Sequence, residues 1–400
     1  MSRKNIKKVI SLYTGAGGLD YGIEAAGFDT AVAVEMDKWC CKTLRHNRDW
    51  PVIEDKIENV DSETILETAK LKRGEAGLLI GGPPCQPFSK AGYWRDGDAK
   101  RLKDPRANTL YQYMRVLEDT LPHAFILENV FGLAYKGKDE GLKYLQTTID
   151  EINRRNKTNY TFKWQVINTA HFGVSQIRER VFIIGSRDGF EFEFPKPRFF
   201  PKDDENPMLD IEGKTFRTAW DAIGDLVPEG ETHHESEVGG KWGALLPSIP
   251  PGENYLWHTE RGGGQPLFKW RSRYWSFLLK LHPDKPSWTI QAQPGTAIGP
   301  FHWNNRRLTM REMARIQTFP DDVEVLGGNS NVQKQIGNAV PSAIGELLGK
   351  EIRRQFFGER VSSNRLKLIP NYNEDEFEVN FIKKIPNEYR NLLQQQDLSS

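Results

Sequence analysis

The sequence predicts an α/β fold that consists of a doubly wound, Rossmann-like sheet and a second, smaller, irregular domain. Up to about residue 190, apolar runs of strand length alternate with stretches of helical periodicity. Beyond that point the chain is rich in Pro, Gly, Trp and charged residues, and helical periodicity returns only from Leu308 onwards. The alternation predicts the first domain, and the change of composition predicts the second.

The strands are predicted from apolar runs that each stop at a Gly, Pro, Asn or charged residue. The first run, at 9–12, ends at the glycine-rich segment 15–18, and a helical pattern then leads to Gly27. Further runs stand at 31–35, 77–82, 124–129 and 180–186. Strands that alternate with helices are typical of a parallel sheet. We therefore predict one domain from 1–188 with 328–360, a small domain at 189–327, and a polar, peripheral C-terminal extension with a frayed end at 361–400.

Composition and charge exclude several classes of protein. The 400 residues carry 55 Lys and Arg against 54 Asp and Glu, so a uniformly basic surface is excluded while a local basic cleft is not. No long uncharged apolar stretch predicts a membrane span, and the N-terminus lacks the apolar core of a signal peptide. Three cysteines cannot all pair, which indicates a reduced, cytoplasmic chain. The eight histidines show no ligand spacing, so no metal is expected.

A glycine-rich turn follows the first predicted strand and opens a helix. Such a turn lets the backbone approach a ligand closely, and Glu35 ends the next strand, where a carboxylate can accept hydrogen bonds from ribose hydroxyls. The glycine spacing differs from that of dinucleotide-binding proteins, so an adenosine-containing cofactor other than a nicotinamide is favoured. A tight turn with a surface glutamate would also explain these residues.

Two chemically reactive residues stand at the ends of neighbouring predicted strands. Cys85 lies in GGPPCQPFS, where two prolines stiffen the loop, and Glu128 ends the strand at 124–129. In open α/β sheets this edge carries the ligand sites, so a thiolate nucleophile and a proton-donating carboxyl group are expected to meet there. A buried structural cysteine is the alternative.

Gln176, Arg178 and Arg180 alternate in the segment QIRER, just before the predicted strand at 180–186. At strand spacing the three side chains share one face, which suits an anionic or carbonyl-bearing ligand. An exposed edge strand paired with acidic residues is the alternative.

Seven segments together resemble the DNA (cytosine-5) methyltransferase family of restriction–modification systems. They occur in the family's order and span most of residues 9–348; the family keeps its variable target-recognition domain in the part they do not cover, about 190–305. The segments are SLYTGAGG (11–18), EMD (35–37), GGPPCQPFS (81–89), ENV (128–130), QIRER (176–180), RLTMREMARIQTFP (307–320) and QIGNAVP (335–341).

The resemblance implies an S-adenosylmethionine-dependent methyltransferase domain. Glu35 would hold the ribose and Met36 would pack on the adenine. The family commonly has Asp directly before Ile near the adenine, whereas Lys56 stands between Asp55 and Ile57 here, which makes both less secure as cofactor residues. The other cofactor residues implied by the resemblance are Tyr13, Gly15, Gly17, Pro84, Leu110, Asn338 and Val340.

The resemblance also implies the chemistry. The thiolate of Cys85 would add to C6 of a cytosine flipped out of duplex DNA, Glu128 would engage N3 and the exocyclic amine, and Gln176, Arg178 and Arg180 would surround the base. C5 would then accept the methyl group, leaving S-adenosylhomocysteine. The residues expected to contact DNA are Ser89, Thr289 and, from two segments that interleave basic and aromatic residues, Arg271, Arg273 and Arg306.

These observations predict a monomeric modification enzyme that acts on a short, palindromic site in double-stranded DNA and is paired with a restriction endonuclease. Two alternatives stay open at the level of sequence. One is a tRNA cytosine-5 methyltransferase with the same catalytic segments, against which the long aromatic and basic stretch at 190–305 argues. The other is a catalytically silent DNA-binding regulator, which would need neither Cys85 nor Glu128.

Overall fold

The computed structural model of the protein describes residues 5–84, 108–130, 140–202, 214–226, 238–378 and 381–389. The strands are β1 (Lys8–Leu12), β2 (Asp29–Glu35), β3 (Val52–Glu54), β4 (Leu78–Gly81), β5 (Ala124–Asn129), β6 (Thr161–Asn168), β7 (Gln176–Ile177), β8 (Glu179–Ser186), β9 (Phe199–Phe200), β10 (Lys214–Thr215) and β11 (Ser287–Trp288). The α-helices are α1 (Gly18–Ala25), α2 (Lys38–Asn47), α3 (Ser62–Ala69), α4 (Asn108–Thr120), α5 (Glu140–Asn156), α6 (Ala219–Ile223), α7 (Met310–Ile316), α8 (Asn329–Asn338) and α9 (Ser342–Gln355).

Among the described residues, seven strands form one sheet in the order β3-β2-β1-β4-β5-β8-β6. β1 pairs in parallel with β2 on one side and with β4 on the other, so the strand order reverses between β1 and β4. In doubly wound sheets this reversal point opens the crevice that binds ligands. The predicted α/β class is confirmed, and the predicted strands lie within a few residues of the observed ones.

One strand of the sheet departs from the predicted parallel arrangement. β8 runs antiparallel to both β5 and β6. Only residues 169–178 connect β6 to β8, and they hold a short 3-10 helix and β7. A parallel connection needs a longer crossover, usually a helix, so this link returns the chain in the opposite direction.

The sheet is buried on both faces, which explains why its strands read as apolar runs rather than alternating patterns. Ile10 and Leu79 pack in the cluster on one face, whereas Val9 and Leu78 pack in the cluster on the other. The second face is covered by α1 and α9, which lie very close together. A Cβ on Gly22 would come within 2.0 Å of the Ser342 carbonyl oxygen, so only glycine permits this contact.

The second lobe comprises residues 214–226, 238–316 and 381–389. One small cluster of apolar and aromatic side chains lies within it, and a second cluster is shared with Val332 and Ile336 of α8. Of the seven tryptophans in this stretch, Trp303 is buried and Trp220, Trp242 and Trp257 pack against the clusters. The other three, Trp270, Trp275 and Trp288, are exposed. The stretch is therefore irregular, as expected, but it has a core of its own.

The predicted domain boundaries stay predictions, but the contacts around two of them are informative. Phe319 already packs on Tyr21 of α1, with the ring centroids 5.8 Å apart. Past residue 360, the backbone N–H groups of Lys367 and Leu368 donate to the buried carboxylate of Glu346. The described part of the C-terminal extension is therefore anchored to α9, and the end that is predicted to be frayed lies outside the described residues.

Candidate active site

The carboxyl ends of β1, β2, β4 and β5 open onto one cavity of about 540 Å³. The cavity lies at the point where the strand order reverses, which is the position expected from the topology. Its walls are the loop after β1, residues 35–37 after β2, residues 81–84 after β4, residues 128–130 after β5, and parts of α8 and the segment that leads to α9.

The glycine-rich loop turns sharply into α1. Tyr13 and Gly15 both line the cavity and both have positive φ, of 54° and 58°. The Tyr13 hydroxyl donates to the Thr109 carbonyl, and the Thr109 hydroxyl donates to the Pro84 carbonyl, so this loop is tied to the loop after β4. Gly17 caps α1 at φ 84° but lies behind the loop, where a Cβ would crowd against neighbouring side chains rather than enter the cavity.

Glu35 is the anchor of the loop after β2. Its carboxylate accepts hydrogen bonds from the backbone N–H groups of Gly15 (2.7 Å), Met36 (2.8 Å) and Asp37 (2.7 Å). Burial raises the pKa of this carboxyl group, and the three hydrogen bonds oppose the shift because they favour the ionised form. A carboxylate can accept about four hydrogen bonds, so one acceptor position stays open toward the cavity.

The wall beyond Glu35 is open and partly apolar. Met36 lines the cavity with its side chain 65% exposed, and Ile57 is buried in the wall. Asp55 also lines the cavity, and it accepts hydrogen bonds from the Lys56 backbone and from Asn59. The inserted Lys56 thus leaves both Asp55 and Ile57 at the cavity, and their assignment as cofactor residues stays a prediction.

Glu128 and Arg180 form an ion pair in the cavity wall. Arg180 Nε lies 3.1 Å from Glu128 Oε1, and both side chains are largely buried. Burial raises the pKa of Glu128, and the charges of Arg180 and Arg178 only partly oppose the shift. Such a carboxyl group holds a proton more readily than an exposed glutamate and can donate it to a ligand atom.

Gln176 and Arg178 do not line the cavity with Arg180. Gln176 accepts a hydrogen bond from the Ile290 backbone, and Arg178 donates to the carbonyl oxygens of Ile290 and Gly337. Both side chains are fully buried and join the catalytic sheet to the second lobe. The strand spacing of the three residues is broken because β7 pairs with β11, whereas β8 joins the central sheet.

The remaining predicted cofactor residues divide into two groups. Pro84, Asn338 and Val340 line the cavity, as the sequence predicts. Leu110 is buried in the core under the sheet, and the preceding residue, Thr109, lines the cavity in its place. Sequence reasoning missed Asp20 and Lys334, which also line the cavity. Lys334 stands one helical turn before Asn338, a spacing that could have revealed it.

Cys85 and Ser89 lie outside the described residues. The two described cysteines are poor nucleophiles: burial raises the pKa of the Cys41 thiol to about 12 and raises that of Cys40 as well. Cys41 donates to the Glu35 carbonyl and is buried in α2. Neither described cysteine is therefore an alternative to Cys85 as the nucleophile.

The candidate DNA-binding residues have different surroundings. Arg271 and Arg273 are exposed on the second lobe, and the Thr289 hydroxyl donates to the Ile177 carbonyl. Arg306 instead forms a two-point ion pair with the buried carboxylate of Glu312, at 2.6 and 2.8 Å. This pair stabilises the start of α7, so the structure gives Arg306 a role within the lobe.

Exposed aromatic rings accompany the arginines on the same lobe. Arg261 lies over the ring of Trp270, 4.3 Å from its centroid, and Trp275 packs edge-on against Trp288 at 5.5 Å. Trp288 lies on β11, which pairs with β7, so this surface borders the strand that leads to Arg178 and Arg180. Positive charge beside exposed aromatic faces suits contact with nucleic acid.

Across the described residues, no three His, Cys, Asp or Glu side chains are grouped as metal ligands would be. None of the described helices is long and apolar enough to cross a membrane.

The chain is similar to DNA methyltransferases over most of its length. The profile described as "C-5 cytosine-specific DNA methylase" matches residues 7–354. Type II methyltransferase M.SacI of Streptomyces achromogenes is 40% identical over 375 residues, which cover 87% of this chain and 93% of that protein. Type II methyltransferase M.AquIA of Picosynechococcus sp. is 44% identical over 228 residues, 56% of this chain and 90% of that protein. The solved S. pombe Dnmt2 methyltransferase has a similar fold, with a TM-score of 0.57 at 17% identity over 87% of this chain and 98% of that one.

Proposed function

Because the chain belongs to the family of C-5 cytosine-specific DNA methylases, we propose that it methylates C5 of a flipped-out cytosine in a short specific duplex sequence through a covalent Cys85 adduct. The observation that carries the proposal is the Glu128–Arg180 pair, which stands beside the loop that leads to Cys85 and shares one cavity with Glu35. The cavity thus has one carboxyl group, that of Glu128, for the cytosine base and another, that of Glu35, for the ribose of the cofactor.

The cavity fits S-adenosylmethionine in the chemistry of its walls. Glu35 offers an acceptor to the ribose hydroxyls, and Met36, Ile57 and Val340 offer apolar surface to the adenine. Gly15 has open space where another residue would place a Cβ, so the backbone can approach the ligand. When bound, S-adenosylmethionine supplies an electrophilic methyl group.

The protein's own groups make C5 of the cytosine reactive. The Cys85 thiolate forms a bond to C6, and the electron pair of the C5–C6 double bond moves toward C5 and N3. Protonated Glu128 donates a hydrogen bond or its proton at N3, where negative charge develops, and Arg180 keeps the carboxyl group in place. After C5 has accepted the methyl group, a base removes H5, the bond between sulfur and C6 breaks, and the ring regains its aromaticity.

The second lobe is the proposed target-recognition domain. A base can react only outside the stacked duplex, and extruding it costs a few kcal/mol. Arg261, Arg271 and Arg273 would offset part of this cost through phosphate contacts, and Trp275 and Trp288 offer exposed aromatic surface near the catalytic strand. The residues proposed to contact the phosphate backbone of the DNA are Thr289 and Ser89. Arg306 is proposed only as support, because its guanidinium pairs with a buried acid within the lobe.

The biological role follows from the relatives, which are named type II methyltransferases. We propose that the chain is the protective methylase of a restriction–modification system, paired with an endonuclease of the same specificity and acting as a monomer in the cytoplasm, near the nucleoid in a bacterium. A monomer can methylate the two strands of a palindromic site in turn.

A covalent trap tests the mechanism. DNA that carries 5-fluorocytosine at the target cannot lose its C5 substituent as a proton, so the wild type should form an adduct that survives denaturation. Cys85→Ser should form none. Cys41→Ser should still form it, because its hydroxyl can replace the buried thiol as donor to the Glu35 carbonyl. No adduct between the wild type and cognate DNA would refute the mechanism.

A transfer assay separates the two remaining alternatives. Tritiated cofactor should label plasmid DNA and not bulk tRNA, whereas the reverse result would assign a tRNA substrate. The exposed arginines and tryptophans of the second lobe favour the duplex. A catalytically silent regulator would label neither nucleic acid and would form no adduct. Bisulfite sequencing of labelled DNA would then identify the methylated site.

A further inference from the structure

The C-terminal extension crosses from the catalytic domain to the second lobe. Its backbone at Lys367 and Leu368 is held by the buried carboxylate of Glu346 on α9. Further along, the Asn373 N–H donates to the Asp221 carboxylate on α6, at 2.9 Å. We call its described residues, 361–378 and 381–389, the strap. These contacts have no part in the proposed reaction, yet they join two parts of the molecule that would bind the same duplex.

The strap has an aromatic anchor near its described end. Tyr389 is only 3% exposed, and its hydroxyl donates to the Lys241 carbonyl at 2.7 Å. Its ring stacks on that of Trp242, with the centroids 5.7 Å apart and the planes 15° from parallel. Phe381, on the same strap, is 95% exposed. The strap is therefore held to the lobe at particular side chains, of which Tyr389 is deeply buried.

The anchor is connected to the exposed basic segment of the lobe through aromatic contacts. Trp242 packs edge-on against Phe268 at 5.2 Å and against Phe277 at 5.9 Å. These two phenylalanines flank residues 269–276, which we call the basic loop and which carry the exposed arginines proposed to contact phosphates. Packed aromatic rings transmit displacement because the interior has little free volume. The position of the basic loop therefore depends on the ring that Tyr389 supports.

The basic loop is also fixed to the same cluster at its middle. The Arg271 N–H donates to the Tyr255 hydroxyl at 3.1 Å, and that hydroxyl donates to the Arg271 carbonyl. The Tyr255 ring packs against Phe268 and Phe277, with centroids 5.7 and 5.5 Å away. The backbone of the loop is thus held by the aromatic cluster, while the Arg271 side chain is exposed.

We propose that Tyr389 is a positioning residue for DNA binding, which acts through Trp242 and the aromatic cluster to hold the basic loop where its arginines reach the phosphates. The inference rests on the proposed function, since it requires that the loop contact DNA. A loop that is already ordered loses less conformational entropy on binding than a mobile one. Phosphate contacts set the register of a protein on the duplex, so the spacing of the two arginines matters as well as their charge.

DNA binding measured by fluorescence anisotropy tests the inference. The probe is a labelled duplex that contains the site identified by bisulfite sequencing. Tyr389→Leu keeps apolar volume but removes the flat ring, and it should raise the Kd about tenfold. The slope of log Kd against log salt concentration should become shallower by about 1 to 2, as expected for one or two lost phosphate contacts. Tyr389→Phe retains the stacked ring and should restore most of the affinity.

Two further measurements separate positioning from a general folding defect. Tyr389→Leu should bind S-adenosylhomocysteine as the wild type does, and its single-turnover rate at saturating DNA should be unchanged, because the cavity is not altered. In a background in which Arg271 and Arg273 are both replaced by Ala, adding Tyr389→Leu should change the Kd by less than about twofold. Phe381→Leu is the matched control, since the same replacement on an exposed part of the strap should leave the Kd and the salt slope at their wild-type values.

Several results would overturn the inference. A wild-type Kd and salt slope in Tyr389→Leu would show that the anchor does not position the loop. A full tenfold loss in the arginine-free background, or loss of S-adenosylhomocysteine binding along with DNA binding, would assign Tyr389 a general structural role. If the wild type itself binds no duplex, the proposed function fails together with the inference. If the wild type binds and methylates the duplex and Tyr389→Leu does so equally well, only the inference fails.

Discussion

Gly82 controls how closely the loop after β4 approaches Glu128, and a Gly82→Ala substitution tests whether that distance matters. A Cβ on Gly82 would lie 2.8 Å from Glu128 Oε2, well inside the 3.4 Å at which ordinary contact begins. The φ of Gly82 is outside the left-handed region, so alanine brings no backbone strain. The carboxyl group must therefore retreat, and its 3.1 Å contact with Arg180 must change.

The size of the effect follows from this geometry. The carboxyl group has to move by about 0.6 Å, which is comparable to the roughly 0.5 Å within which catalytic groups must be held. A misplacement of about 1 Å can cost about 10²-fold in rate, so we expect kcat to fall roughly ten- to a hundredfold, or ~1.4 to 2.7 kcal/mol. The stability should change by less than about 1 kcal/mol, because the displaced atom is the far end of a flexible side chain.

Single-turnover transfer of a tritiated methyl group to cognate DNA measures the rate, and thermal unfolding measures the stability. Gly239→Ala is the control, since a Cβ at Gly239 would meet no atom of the described residues within 4 Å. It should leave both quantities unchanged. A folded Gly82→Ala variant with the wild-type rate would show that the position of the Glu128 carboxyl group does not limit the reaction. A variant that loses stability along with activity would show that the loop, rather than the carboxyl group, absorbs the clash.

Three further predictions concern the same sheet edge and its supporting helices. Glu35→Gln should lower the free energy of unfolding by about 2 kcal/mol and abolish binding of S-adenosylhomocysteine, because an amide cannot accept all three backbone hydrogen bonds. Urea unfolding measures the stability and titration measures the binding. Unchanged values would contradict the role of Glu35. Gly22→Ala should cost ~3 kcal/mol or more in urea unfolding, because its Cβ would overlap the Ser342 carbonyl, and wild-type stability would show that α1 and α9 can separate. Burial raises the pKa of Asp20 from 3.8 to about 7, so the fold favours its protonated form. That contribution is present at acid pH and is lost as the pH rises toward 7, and Asp20→Asn should therefore gain stability relative to the wild type at pH 8 and not at pH 4, by up to about 4 kcal/mol in unfolding measurements.

The sheet could be predicted because the features that mark each strand lie within a short stretch of the sequence. A strand buried on both faces must be apolar throughout, and the loop at its end must break that run, so β1, β2, β4 and β5 stand out in the sequence. Glu35 and Glu128 were predictable for the same reason. Each is a polar residue at the end of a buried strand, where the strand reaches the ligand-binding edge of the sheet. The topology of the sheet fixes where each strand ends, and this restricts the direction in which a side chain at the strand end can point.

Residues whose direction depends on tertiary packing were harder to predict. Leu110 and Thr109 are adjacent on α4, and only the packing of that helix decides that Thr109 lines the cavity and Leu110 fills the core. Gln176 and Arg178 read as a strand face shared with Arg180, but pairing with β11 directs them into the junction with the second lobe. No periodicity in the sequence carries that information, since it depends on a segment more than a hundred residues away.

Three of the acids that line the cavity, Asp20, Glu35 and Glu128, show how similar side chains can serve different purposes. Burial raises the pKa of each of them, so the differences lie in what each one contacts. Three backbone N–H groups keep Glu35 ionised enough to accept hydroxyl donors. The Arg180 guanidinium fixes the position of Glu128 without removing its tendency to hold a proton, which suits a donor to a ring nitrogen. One carboxyl oxygen of Asp20 accepts no hydrogen bond from the described residues, so burial favours its protonated form. Glu35 after β2 and Glu128 after β5 lie on opposite sides of the point where the strand order reverses, which predicts that the ribose and the target base are bound on opposite sides of it.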